Sequence, residues 1–162
     1  MNEDDLSWLY AAYKKGCFGP LFAPDMQGPD FKADCVKMLM KWPHRWVVRA
    51  RYRGTRELHP IGLVVATSDM HRLSPHAIWF PWATRRNIVE GLLGFLRDAT
   101  EAGWLVIIAS GDKYRDFFTK LMRYGIVKRV GVIPGWFADQ EAAVHAIEGS
   151  GADAMFFYAR KK

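Results

Sequence analysis

Two adjacent arginines stand where a helix is predicted to begin. Arg85 and Arg86 follow the strand-like segment HAIWF and Pro81, and they open a helical pattern that runs from Thr84 to about Thr100. Positive side chains at a helix N-terminus oppose the helix dipole, so a bound anion would relieve the conflict. This pair therefore predicts a site for a phosphate or another anionic group.

Three aromatic residues, Trp79, Phe80 and Trp82, precede this helix. Neighbours on a strand point to opposite faces of a sheet, so one core face explains Trp79 or Phe80 but not all three rings. The cluster predicts a ligand groove or a partner surface. On the same strand, the imidazole of His76 has an ordinary pKa of about 6.5 and could accept a proton; the alternative is a surface or strand-edge histidine.

Hydrophobic periodicity predicts the elements that would hold these residues. Helices are predicted near residues 5–15, 31–41, 84–101 and 112–124, and strands near 45–53, 59–67, 76–81, 105–110, 126–133 and 154–160. The first three strands are predicted to form an antiparallel meander, and strand 76–81 to run parallel to 105–110 and splay from it. This order predicts an α/β (α+β) fold with a mixed central sheet, a β-α-β-α-β unit after the meander and helices on both faces.

The 162 residues suit a single domain, 1–162, and half of them are apolar, which excludes wholesale disorder. No apolar run reaches the roughly 18–20 residues of a membrane span, and the acidic start MNEDDL does not resemble a signal peptide. Cys17 and Cys35 lack the spacing of a metal site, so they are predicted to be reduced thiols, with no metal bound. These features predict a cytoplasmic protein.

A net charge of +6 favours anionic partners without choosing among them. Arg49, Arg51 and Arg53 alternate along the first strand, a pattern typical of a solvated face as well as of nucleic-acid binding. No run of aromatic residues accompanies them as a stacking platform. Nucleic acid is therefore the weaker expectation.

The order of elements resembles the GNAT superfamily of acyl-CoA-dependent N-acetyltransferases over about residues 5 to 160. IWFPWATRRNIVEGLL stands where that family has a strand, a proline and an Arg/Gln-x-x-Gly-x-Gly/Ala loop whose amides cradle a pyrophosphate. Asn87 and Val89 then occupy the two glycine positions, and a register that starts at Arg86 recovers Gly91 but keeps Val89. The resemblance implies acetyl-CoA as cofactor, with the amides of Arg86 to Val89 facing its pyrophosphate. The implied contacts are Trp79, Phe80, Arg85, Arg86, Asn87, Ile88, Val89 and Phe117.

A second family signature lies on the helix after the buried strand, where this chain has GDKYRDFFTKLMRYGI. Phe118 replaces the tyrosine that commonly protonates the departing thiolate, and a phenyl ring has no proton to give. That role is either vacant or passes to Tyr114 or Tyr124. His76 lies on the strand where the family often carries a glutamate base, which implies that it deprotonates the amine.

The resemblance implies transfer of an acetyl group from acetyl-CoA to an amine. The alternative is a GNAT fold kept as a non-catalytic structural or interaction module with a protein partner or self-association. In that case the chain is similar to GNAT-like proteins of tailed bacteriophages and would be associated with the virion. A basic module associated with nucleic acid is the third and weakest interpretation.

Overall fold

The computed structural model describes residues 3–15, 31–51, 57–110, 114–133 and 154–160. The helices are α1 (Glu3–Lys14), α2 (Phe31–Met40), α3 (Arg85–Glu101) and α4 (Arg115–Arg123). The strands are β1 (His44–Arg51), β2 (Leu58–Asp69), β3 (Arg72–Trp79), β4 (Leu105–Ser110), β5 (Lys128–Ile133) and β6 (Ala154–Ala159). They form a six-stranded sheet in the order β1-β2-β3-β4-β6-β5, which confirms the predicted fold class.

The pairing directions make this sheet mixed. β1 runs antiparallel to β2, and β6 runs antiparallel to both β4 and β5. β3 runs parallel to β4, as predicted, and within the described residues their pairing comprises Arg72 with Leu105 and Leu73 with Val106. A two-residue turn at Met70 and His71 joins β2 to β3, a connection that only antiparallel neighbours can make.

The predicted bounds of β3 were wrong at both ends. The strand begins at Arg72 instead of His76, because the mixed segment RLSP already belongs to the ladder and buries Leu73 completely. It ends at Trp79, two residues before Pro81, which has no amide hydrogen to give to a ladder. The apolar run HAIWF therefore marked only the second half of the strand.

The described chain divides into two compact units, residues 1–67 with 75–98 and residues 68–74 with 99–162. In the first unit, α1 and α2 contact each other and bury apolar side chains with β2 and β3. This core consists of Leu9, Ala12, Cys35, Leu39, Leu63, Val65, Ile78 and Phe80. Burial raises the pKa of the Cys35 thiol to about 11, so it stays protonated, as expected of a buried free cysteine.

On the other face of the first unit, two glycines let α3 approach the sheet closely. A Cβ atom at Gly91 of α3 would lie 2.4 Å from Val48 Cγ1, and one at Gly62 of β2 would lie 2.6 Å from the ring of Trp79. The indole of Trp79 fills the space that the absent side chains leave. Gly91 is therefore a packing residue of α3.

Arg49 of the arginine stripe is exposed, as expected of a solvated face, but it also contacts α1. The register of β1 on β2 shifts between Val48 and Arg49, as at a β-bulge, and Arg49 forms an ion pair with Asp5 of α1. The Asp5 side chain is 2% exposed. Arg51 is exposed, and Arg53 lies outside the described residues.

In the second unit, β6 lies between β4 and β5, and α4 supplies the covering helix. The ring of Phe118 on α4 stacks on Phe157 of β6 with a centroid distance of 4.5 Å. Leu121 and Val127 complete this buried layer. Gly125 follows α4 with a φ of 68°, a backbone conformation typical of a glycine that ends a helix.

Cys17, one of the two predicted reduced thiols, lies outside the described residues. Of the helices in the described part of the chain, none combines the length and the apolar character needed to cross a membrane.

Candidate functional site

Two side chains at the start of α3 cap this helix. The amide of Asn87 donates to Thr84 Oγ1 at 3.2 Å, and the Thr84 hydroxyl and amide donate to Asn87 Oδ1 at 2.7 and 3.4 Å. Thr84 is thus the N-cap residue, and the pair forms a reciprocal capping box with asparagine in the place of the usual Glu or Gln. The amide of Ile88 donates to the Thr84 carbonyl at 3.0 Å.

These hydrogen bonds reduce the number of backbone amides at the start of α3 that could bind a phosphate. The expectation was that the amides from Arg86 to Val89 would face a pyrophosphate, but those of Asn87 and Ile88 are bonded to Thr84. A helix leaves its first four N–H groups without an intrahelical partner, and the capping box satisfies the first and fourth of them. The amides of Arg85 and Arg86 are the two that remain for an anion.

The two arginine side chains differ in what surrounds them. Arg86 Nε donates to Glu90 Oε1 at 2.7 Å along the exposed face of α3, and this hydrogen bond raises the pKa of Arg86. Its positive charge is therefore already compensated by a carboxylate. Arg85 is exposed at the first position of the helix. Arg85 is the better placed of the two to attract an anion.

The aromatic cluster before α3 is explained by packing. Trp79 points toward α3, whereas Phe80 is 2% exposed in the core below α1 and α2. Trp82 donates its indole N–H to the Pro60 carbonyl at 2.8 Å and contacts the rings of Phe80 and Trp8. If only one face of the sheet were buried, the strand could bury only one of the neighbouring rings of Trp79 and Phe80. Because both faces of this part of the sheet are covered, no ligand is needed to explain the three rings.

His76 lies on β3 against the indole of Trp42, which follows α2. Their ring centroids are 5.1 Å apart and the planes are inclined by 59°. Desolvation lowers the pKa of His76 below its ordinary value of 6.5, although the residue keeps a solvent-exposed surface. At neutral pH the imidazole is therefore uncharged, which is the form that accepts a proton.

Sequence reasoning missed Arg45, which lies close to this pair. Its Nη1 donates to the Leu39 carbonyl at 3.2 Å and to Met40 Sδ at 3.3 Å. The amide of Trp42 donates to the same carbonyl at 3.1 Å. The sequence did offer a signal for Arg45, because it is a basic residue shortly after the predicted end of a helix, where backbone carbonyls lack partners within the helix.

The other predicted site residues lie on α4 in the second unit. Tyr114 stands at the start of the helix, where it is 42% exposed, and Phe117 is half-buried against Phe118. Phe118 is 6% exposed, so the position of the family's proton donor is here part of the core. Tyr124, the other candidate donor, is 78% exposed after the helix.

The structure thus groups His76 with Trp79, Phe80 and the residues from Arg85 to Val89 in the first unit, and Tyr114 with Phe117 in the second. Val89 is half-buried within the first turns of α3. Within the ranges that the structure describes, no three His, Cys, Asp or Glu side chains are grouped so that they could hold a metal ion.

No family model matches the sequence, and no curated protein matches it. The fold is similar to those of solved acetyltransferases. The acetyltransferase of Bacillus subtilis, in complex with CoA, is 12% identical with a TM-score of 0.55 and covers 82% of this chain and 86% of its own. A GNAT family acetyltransferase from Elizabethkingia anophelis with acetyl-CoA bound is 12% identical with a TM-score of 0.55, at 79% and 82% coverage. A chimeric spermidine N-acetyltransferase from Vibrio cholerae is 14% identical with a TM-score of 0.57, at 82% and 79% coverage.

These likenesses show that the chain has the GNAT fold. At such low identity they speak for the fold alone, and fold does not by itself establish activity. They give no support to the similarity with bacteriophage proteins.

Proposed function

We propose that this protein is an acyl-CoA-dependent N-acetyltransferase that transfers an acetyl group to an amine. The observation that carries the proposal is the fold, which is shared over about four-fifths of the chain with acetyltransferases solved with CoA or acetyl-CoA bound. The start of α3 adds a local reason, because it offers the exposed Arg85 side chain and two backbone amides to an anion.

The residues at the start of α3 fit a cofactor phosphate at the first turn of the helix. The amides of Arg85 and Arg86 would hold it, the helix dipole would favour its charge, and the Arg85 guanidinium would add a charge-assisted contact. The capping box keeps the Asn87 amide out of this set, and a backbone hydrogen bond to the Thr84 carbonyl keeps the Ile88 amide out. When bound, the cofactor supplies the acetyl group as a reactive thioester.

His76 is proposed as the general base. Its neutral imidazole would take a proton from the acceptor ammonium, which frees the nitrogen lone pair to form the new N–C bond as the C–S bond breaks. The nitrogen would then lose a second proton as the amide forms, which balances the proton that the departing sulfur takes up and restores the donor of that proton. The exposed phenol of Tyr114 is proposed as this donor, because Phe118 is buried and has no acidic hydrogen.

The alternative, a non-catalytic module with the GNAT fold, is favoured by one specific observation. The capping box satisfies the start of α3 without any ligand, so this helix does not require a cofactor in order to be stable. The burial of Phe118 points the same way.

Titration with acetyl-CoA and with CoA, followed by thermal shift and calorimetry, tests the proposal. A specific ligand raises the melting temperature in proportion to its excess over Kd. Replacing both Arg85 and Arg86 by alanine should weaken binding by roughly 1–3 kcal/mol, the range of hydrogen bonds to charged groups. Arg97→Ala, on the same helix and paired with Asp98, is the matched control. A parent protein that binds neither ligand would support the non-catalytic alternative.

Turnover is tested by thiol release from acetyl-CoA over a panel of amines, in the parent and in His76→Ala. The proposed base predicts a large loss of kcat in the variant, together with loss of the lower limb of the pH profile. Equal turnover in the two proteins would remove His76 from the mechanism.

A further inference from the structure

Arg45 is held in place without an anion. Three other arginines of the first unit with assigned contacts each meet a carboxylate: Arg49 meets Asp5, Arg86 meets Glu90 and Arg97 meets Asp98. Arg45 instead contacts a backbone carbonyl and the sulfur of Met40. Within the described part of the chain no carboxylate pairs with it, so its positive charge has no counter-ion there.

Its position is nevertheless fixed. The Leu39 carbonyl accepts hydrogen bonds from both Arg45 Nη1 and the Trp42 amide, so the guanidinium and the backbone of Trp42 share one anchor at the end of α2. A guanidinium carries five N–H donors in a rigid fork, and both assigned contacts use Nη1. The Nη2 and Nε edge keeps the geometry that suits a carboxylate.

The guanidinium contacts an exposed apolar residue, and basic residues stand on and just after α2. Met40 is 68% exposed beside it, and the half-buried indole of Trp42 continues toward the ring of His76, 5.1 Å away. Lys37 and Lys41 are exposed on and just after α2. The one acidic residue of α2, Asp34, stands in its first turn, at the far end of the helix.

We propose that Arg45, Met40 and Trp42 form an acceptor subsite for a small amine that also carries a carboxylate and an apolar side chain. Arg45 binds the carboxylate, Met40 and Trp42 contact the apolar side chain, and the amine lies at His76. The presentation of the amine to His76 rests on the proposed acetyltransferase function, whereas binding of the carboxylate does not.

The charge of this surface selects against a polyamine acceptor. Arg45, Lys37 and Lys41 repel a second ammonium group, and the described residues of this surface place no carboxylate beside Arg45 to attract one. Trp42 lies beside both groups, since its amide shares the Leu39 carbonyl with Arg45 and its indole centroid lies 5.1 Å from that of the His76 ring. A dipeptide, about 7 Å long when extended, carries its amine and its carboxylate at opposite ends and is the acceptor chosen for the test.

The test uses leucyl-glycine, its C-terminal amide leucyl-glycinamide, and spermidine. The dipeptide and its amide share the same apolar side chain and differ in the carboxylate. We expect leucyl-glycine to be the best acceptor, and Arg45→Gln to raise its KM by about tenfold or more while leaving the amide unchanged. Arg51→Gln, an exposed arginine at the end of the same strand, is the matched control and should change neither substrate.

Arg45 also anchors the end of α2, so a loss of folding must be separated from a loss of recognition. The ratio of leucyl-glycine to leucyl-glycinamide turnover does this, because unfolding lowers both rates equally. Arg45→Lys keeps the charge but loses the fork and should restore part of the ratio. A ratio that Arg45→Gln leaves unchanged would overturn the subsite.

Binding without acetyl-CoA separates this inference from the proposed function. Leucyl-glycine is titrated into the protein while the indole N–H signal of Trp42 is followed by NMR. Saturable binding that Arg45→Gln weakens, with no turnover of any amine, would sustain the subsite and refute the acetyltransferase. Acetyl transfer at equal rates to leucyl-glycine and its amide would sustain the acetyltransferase and refute the subsite. If leucyl-glycine neither binds nor is preferred over its amide, the subsite is refuted as well.

Discussion

Helices α3 and α4 end in the same way but begin differently. Each is followed by a glycine with positive φ, Gly103 at 91° and Gly125 at 68°. In each, the next amide reaches back five residues, from Trp104 to the Ala99 carbonyl and from Ile126 to that of Leu121, which is the Schellman motif. At their starts, α3 has the Thr84–Asn87 capping box, whereas Tyr114 gives α4 no side-chain cap.

The difference shows how each helix is stabilised. α3 has a side-chain cap at its start and a Schellman motif at its end, so it is stabilised locally at both ends, and the amides of Arg85 and Arg86 remain for a ligand. α4 depends on what it buries, above all the stack of Phe118 on Phe157. The start of α3 thus has a side-chain cap that forms without a bound phosphate.

The largest expected effect comes from removing the aromatic anchor of α4. Phe118→Ala takes a buried ring out of its stack on Phe157, and the resulting cavity should lower the free energy of unfolding by about 3–5 kcal/mol. Chemical denaturation monitored by circular dichroism measures this. A loss below about 1 kcal/mol would mean that α4 is held mainly by something other than this ring.

Phe118→Tyr tests whether the same position can recover the family's proton donor. The new hydroxyl would enter a buried apolar site without a designed partner, at a cost of about 1–3 kcal/mol. We expect lower stability and no gain in thiol release. A faster enzyme would show that this position reaches the reacting groups after all.

The next largest effect is expected in the middle of α3. Gly91→Ala places a Cβ atom 2.4 Å from Val48 Cγ1, and such overpacking should cost about 1–3 kcal/mol. Gly94→Ala, one turn further, meets no atom within 4 Å and should stabilise the protein by up to about 1 kcal/mol through helix propensity. Equal melting temperatures for the two variants would contradict the close approach of α3 to β1.

A smaller effect is expected at the capping box. Thr84→Ala removes the acceptor of the Asn87 amide and should cost about 1 kcal/mol, whereas Thr84→Ser keeps the hydroxyl and should cost less. Titration of Thr84→Ala with CoA then tests whether the start of α3 binds a phosphate. The freed amide should improve affinity for CoA if a phosphate binds there, and leave it unchanged if the helix start is only structural.

The elements of the fold were predictable where local pattern decides them. The stripe of Leu92, Phe95 and Leu96 marked α3, and Gly125 marked the end of α4, because side-chain spacing and backbone conformation act over a few residues. The bulge before Arg49 and the early start of β3 escaped prediction. Both depend on the partner strand, which local sequence does not specify.

The candidate site was predictable only in part. The pattern placed Arg85 and Arg86 at the start of a helix and His76 on a strand, and the structure has them on α3 and β3, whereas their roles stay predictions. The capping role of Asn87 was overlooked, although Thr84-x-x-Asn87 resembles a capping-box pattern. The contact of Trp42 with His76 and the anchoring of Arg45 join residues from different elements, so only tertiary structure reveals them.

The smallest expected effect is a pH dependence at His76. Folding lowers the pKa of this imidazole from its ordinary value of 6.5, so below pH 6.5 the unfolded chain binds a proton that the folded chain still excludes. Its contribution to stability is therefore complete above pH 6.5 and decreases as the pH falls toward the lowered value in the folded state. Melting temperatures from pH 7.5 to 5 should fall less steeply for His76→Gln than for the parent protein. Exposed His71, in the turn between β2 and β3, provides His71→Gln as a control for the loss of a histidine. Parallel curves for the parent and His76→Gln would show that contact with Trp42 does not keep this imidazole neutral, and the proposed base would lose its physical support.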